Sequence, residues 1–129
     1  MVLLGAISSV VWAQEQDVVA AGKVEFQRYC AVCHGSDGTG GRSLKQQNFL
    51  KVTPTDLTRL SRRHGGEFPF WTVYNVVDGR FEIRGHGTRE MPIWADAFQV
   101  EEGSRLGAET RAVGRILSLV FYLQSMQKK

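Results

Sequence analysis

Apolar positions recur with a helical period along most of the chain. From Gln16 to Tyr29, the residues Val18, Val19, Gly22, Phe26 and Tyr29 share one face, the spacing of an amphipathic helix. Glycines then crowd from Gly35 to Gly41 and exclude regular structure there. Thr53-Pro54-Thr55-Asp56 reads as an extended lead-in to a short helix with Leu57 and Leu60 inward, stopped by Gly65-Gly66. Phe68-Pro69 opens another helix, in which Phe70, Val73, Tyr74 and Val77 follow i, i+3, i+4, i+7 before Gly79 ends it. Between Phe81 and Pro92 the pattern fails, and a Gly- and Arg-rich loop is expected. Val113, Ile116, Leu117, Val120 and Leu123 predict a last helix over about Ala108 to Met126. No run of alternating residues predicts a strand. The expected fold class is all-α, short helices joined by long loops that need something to pack against.

Composition narrows the class without fixing it. The 129 residues are 43% hydrophobic and 22% charged, with a formal net charge of +3. That is one globular domain rather than a disordered chain. Basic dipeptides occur only at Arg62-Arg63 and Lys128-Lys129, too sparse for a nucleic-acid footprint. Their charge suits acidic protein surfaces, and it is compatible with peripheral membrane association. The apolar or small run Val2 to Val11, with Val11-Trp12-Ala13 behind it, matches the tail of a secretory leader. The expected organisation is a signal peptide over residues 1–13 and one domain over 14–129, although no Lys or Arg precedes the apolar run. The run is too short for a bilayer span, which takes about 20 apolar residues.

Cys30-Ala31-Val32-Cys33-His34 carries the chemistry. C-x-x-C-H is the attachment pattern of c-type haem. Residues three apart lie on one side of a helix, so two thiols reach two vinyl groups of one porphyrin, and the adjacent imidazole falls under the iron. Three other readings compete. A thioredoxin-like pair should follow a strand and open a helix. A zinc site needs four ligands, and only the scattered His64 and His86 follow. A disulfide across so short a loop stabilises little and leaves His34 unexplained.

Gly22-x-x-x-Phe26-x-x-x-Cys30-x-x-Cys33-His34-Gly35 resembles the opening of the class I cytochromes c, and Leu119-x-x-Tyr122 resembles the aliphatic–aromatic pair of their last helix. The likeness covers residues 17–127 loosely and is most specific at the haem motif. It implies a cytochrome c-like fold in which the terminal helices cross at Gly22. It also implies one haem c, bonded through Cys30 and Cys33, with His34 and Met91 as axial iron ligands. Met91-Pro92, 57 residues after His34, is similar to the family's Met-Pro ligand loop. A thioether there would raise the reduction potential relative to a second imidazole. His86 is a rival ligand, and Met91 is otherwise an ordinary core methionine.

Around that site the resemblance implies that Pro54 offers its carbonyl to the His34 ring. The loop Gly38 to Arg42 would wrap the haem edge. Arg42, Trp71, Arg84 and Arg89 are candidate propionate donors, and Trp94 is placed beside the ligand loop. The segment from Asp78 to Trp94 is more similar to bacterial mono-haem domains than to the compact mitochondrial form. The implied role is a monomeric, periplasmic electron carrier docking on a redox donor and acceptor, not an enzyme in its own right. The alternatives are a haem subunit of a stable oxidoreductase complex and a five-coordinate haem enzyme or gas sensor.

Overall fold

The computed structural model of the chain describes residues 6–40, 53–80, 91–104 and 106–129, the first eight of these as backbone only. All regular structure among them is helical, so the chain is all-α. Helix α1 runs from Ala6 to Glu25, without a break at the Ala13–Gln14 bond where leader cleavage is expected. A π-helical turn, Phe26–Cys30, continues it into the short α2, Ala31–His34. After the described part of the next loop come a 3-10 turn at Leu57–Arg59 and α3 at Leu60–Arg63. Helices α4 (Phe70–Asp78), α5 (Trp94–Glu102) and α6 (Ala108–Ser125) complete the order. No described helix is long and apolar enough to cross a membrane.

The first and last helices form the frame. Gly22 is buried in α1, and a β-carbon there would lie 1.9 Å from the Ser118 carbonyl oxygen and 2.9 Å from Tyr122 Cβ. Only glycine lets the backbones approach so closely. Phe26, one turn later, is fully buried with its ring centroid 5.4 Å from that of Tyr122. The expected crossing is therefore present. Val18 departs from the expected face at 39% exposure, whereas Val19 is half-buried.

From α6 the core receives Ala112, Ile116, Leu119, Val120 and Leu123, from α4 Val73 and Val77, and from α5 Ala95 and Phe98. Val113 and Leu117, assigned inward by the pattern, are only half-buried. The inward stripe instead runs through Ala112 and Leu119. Small Ala112 and Gly22 let α6 lie close to its neighbours, and bulkier residues move to the margins.

Helix α5 has no counterpart among the elements read from periodicity. It offers only Trp94, Ala95 and Phe98 as an apolar face over nine residues, less than three turns. Polar ties supplement that face. Arg115 of α6 pairs with Glu101 at 3.0 Å and Glu102 at 3.5 Å, and Arg111 with Glu102 at 2.7 Å. The chain end is likewise fastened. Gln127 donates from Nε2 to the Leu57 carbonyl, accepts from the Ser61 N–H, and the Lys128 N–H donates to the Thr58 carbonyl.

Candidate functional site

The C-x-x-C-H segment lies where α1 stops being a regular helix. Across Phe26–Cys30 the ladder widens, so that the Ala31 N–H donates to the Phe26 carbonyl five residues back. Such π turns add a residue to the turn, re-aim the side chains beyond it, and recur at functional sites. Here the turn delivers Cys30 buried and Cys33 half-buried. Neither thiol is in a disulfide. Burial, then the neighbouring Glu25 carboxylate, pushes the Cys30 thiol up to about 12, so it is protonated at neutral pH.

His34 ends α2, and Gly35 turns the chain away with φ of 79°. Its Nδ1 lies 3.2 Å from the Thr55 carbonyl oxygen. A carbonyl only accepts, so Nδ1 carries the proton and donates, and Nε2 keeps its lone pair. Burial holds the ring below the ordinary histidine value, although the Thr55 bond works the other way. The imidazole is neutral, the state a metal ligand requires.

The acceptor is one residue past Pro54, the proline that the family resemblance designates. Two contacts fix that register. Gly40, at φ of 92°, sits so close under the Pro54 carbonyl that a β-carbon would lie 2.5 Å from its oxygen. The Leu57 N–H donates to the Gly38 carbonyl at 2.8 Å. The Pro54 oxygen thus faces the glycine loop, and the following carbonyl faces His34. Asp56 sets the next turn by accepting from the Thr58 N–H and hydroxyl at 2.9 and 2.6 Å, an N-cap that frees Thr55 to stay extended. Nothing in the chain's periodicity distinguished residue 55 from residue 54. The Asp56-x-Thr58 cap was the available signal.

Met91 is half-buried and packs against the core cluster, with Ile93 and α5 directly after it. Trp94 stands edge-on to Tyr29 at 5.6 Å and tilted against Phe98 at 5.6 Å. That packing ties the segment after Met91-Pro92 to the residue before Cys30. Trp71 does not join this group. It is 68% exposed on α4, against Phe70 and Tyr74, so as an inward donor it is unsupported. Arg42, Arg84, His86 and Arg89 lie outside the described residues. His64 follows α3, its Nδ1 2.8 Å from the Leu60 carbonyl, as expected of a histidine closing a helix.

Chemically, the described donors are two unpaired thiols one helical turn apart, a neutral imidazole with a bare Nε2, and a thioether on the same core. That set fits the sulfur and nitrogen bonds of a c-type haem. It fits the rival readings poorly. Among the described residues no three His, Cys, Asp or Glu converge on a point that could hold a metal ion, whereas a structural zinc needs four ligands. A redox-active thiol pair has a depressed pKa and opens a helix. Cys30 closes a long one, and its pKa is raised. Tyr29 was read only as part of the first helix's apolar face and Arg115 entered no sequence-based reading, yet they link this site to α5. No protein-family model, curated protein or solved structure matches the chain.

Proposed function

We propose that the chain is a c-type cytochrome of cytochrome c-like fold, an exported carrier of single electrons between larger redox proteins. The observation that carries this reading is the unprotonated Nε2 of His34, set by the Thr55 carbonyl at Nδ1, beside two free thiols on the same turn. Cys30 and Cys33 would hold a haem covalently, and His34 and Met91 would bind its iron. When bound, that group supplies a one-electron couple at iron. The chain contributes the rest. The Thr55 carbonyl fixes the tautomer and orientation of His34. The apolar residues behind Cys30 exclude water, and Met91-Pro92 presents sulfur from a backbone stiffened by proline. With His34 and Met91 both bound to it, the iron would be closed to substrates and would serve only to pass electrons.

The test uses protein matured in a host with a cytochrome c assembly system. The expected product carries a covalent pigment, and the oxidised form shows the weak red band of sulfur-ligated ferric haem. Met91→Ala removes that band and lowers the reduction potential. A colourless product with two free thiols refutes the proposal. A pigment that lacks the band and readily binds carbon monoxide when reduced shifts it to a five-coordinate haem protein.

One observation favours a second reading, a haem subunit of a stable complex. Trp71 at 68% and Phe121 at 38% exposure flank Phe70, and contiguous exposed aromatics are typical of permanent contacts. Co-purification with a partner through high salt supports that reading. A monomer that docks only at low salt supports the free carrier.

A further inference from the structure

We propose that Arg115 is a positioning residue for Met91, acting through α5 as a strap that fastens the Met91 segment to the helix bearing the thiols. The proposal rests on the haem reading above for what Met91 binds, but the strap itself is a property of the chain. Arg115 leaves α6 and pairs with both oxygens of Glu25 on α1, at 2.9 and 3.0 Å. On its other side it reaches Glu101 at 3.0 Å and Glu102 at 3.5 Å, both on α5. Its guanidinium lies 3.9 Å over the Phe98 ring. The Tyr29 hydroxyl donates to the same Glu101 at 2.7 Å, so the residue preceding Cys30 is tied into the cluster. One cation thus joins three helices around a single aromatic ring. Its side chain is 17% exposed, which protects these pairs from much of the solvent screening that weakens surface ion pairs.

The lever is short. Helix α5 begins at Trp94, three residues after Met91, and three residues span at most about 10 Å. Pro92 stiffens that link. On the other side Ile93 rests against Gly79, where a β-carbon would stand 3.0 Å from Ile93 Cα. Phe98 and Ala95 bury one side of α5, and these polar ties fix the other. When α5 shifts, Met91 shifts with it.

The experiment compares wild type, Arg115→Met and Arg115→Lys, all loaded with pigment. It follows the red sulfur band and the far-ultraviolet helix signal through the same denaturant titration. Amide exchange across Trp94–Glu102 is followed in parallel. In Arg115→Met the band is expected to vanish at a lower denaturant concentration than the helix signal. Exchange in α5 should quicken by about tenfold, one decade of local opening, and the reduced protein should bind carbon monoxide. Arg115→Lys, which keeps the charge but not the fork, should fall between. If band and helix signal melt together in Arg115→Met, or if α5 exchange is unchanged, Arg115 serves only overall stability and the proposal is wrong. Should Arg115→Met fail to fold, Glu101→Gln with Tyr29→Phe removes one arm and leaves the Glu25 pair, with the same outcomes deciding. A colourless wild type overturns the haem reading alone, because α5 exchange still reports on the strap, whereas a pigmented wild type without the band shows that Met91 is not a ligand and overturns its positioning by Arg115.

Discussion

At His34 the deciding atom is a backbone oxygen, and its position depends on a residue with no side chain. Gly40 lets the Pro54 carbonyl lie against the glycine loop, which turns the Thr55 carbonyl toward the imidazole. Gly40→Ala introduces a contact at 2.5 Å and a strained positive φ. It is expected to cost about 2 kcal/mol, read by denaturant unfolding, and to loosen the His34 ring. Proton exchange at its Nδ1, followed by nuclear magnetic resonance, checks the second effect. The clustering of the C-x-x-C-H residues was legible at this scale, since spacing alone places Cys30, Cys33 and His34 together. Thr55 was not, because neighbouring carbonyls look alike until the contacts of Gly40 and Leu57 select one.

Among the elements, the α1–α6 crossing is the contact whose loss would be felt most widely. Gly22→Ala puts a methyl group 1.9 Å from the Ser118 oxygen. The helices must then separate and lose packing around Phe26 and Leu119, at an expected cost of about 3 kcal/mol. A fall in the denaturant midpoint with an unchanged slope is the signature. The crossing was readable from Gly22, Phe26, Leu119 and Tyr122, whose spacing matches helical turns. Helix α4 was readable for the same reason, with Val73 and Val77 inward. Helix α5 was not. Its five apolar residues in nine follow no clean helical period, with Val100 facing out, and its fastening, Arg115 reaching Glu101 and Glu102, joins residues 13 or 14 apart along the chain. Pairing at that distance leaves no mark on local pattern.

For the molecule as a whole, acid should act through Asp78. Its carboxylate is fully buried and is gripped by Arg80 at 2.8 Å through both oxygens, while Arg80 also reaches Glu109 on α6 at 2.6 Å. The Arg80 hydrogen bonds hold the Asp78 carboxyl below its usual range, against the opposing effect of burial. A depressed folded value means the contribution is whole above about pH 3.9 and is lost as pH falls through the lower folded value. Wild-type stability should therefore drop below about pH 4. Asp78→Asn should flatten that drop and cost about 2 kcal/mol at pH 7. Urea titrations at a series of pH values measure both.

The meeting of α1 with α6 also sets an order of events. Helix α6 is made well after the C-x-x-C-H segment, and until it arrives Gly22 and Phe26 lack the helix they close upon. Until that helix is made, then, the paired sulfurs stay reachable on an open chain. A thiol reagent added before that helix forms should meet Cys30 on a pliant peptide, whereas in the finished fold the same sulfur is buried.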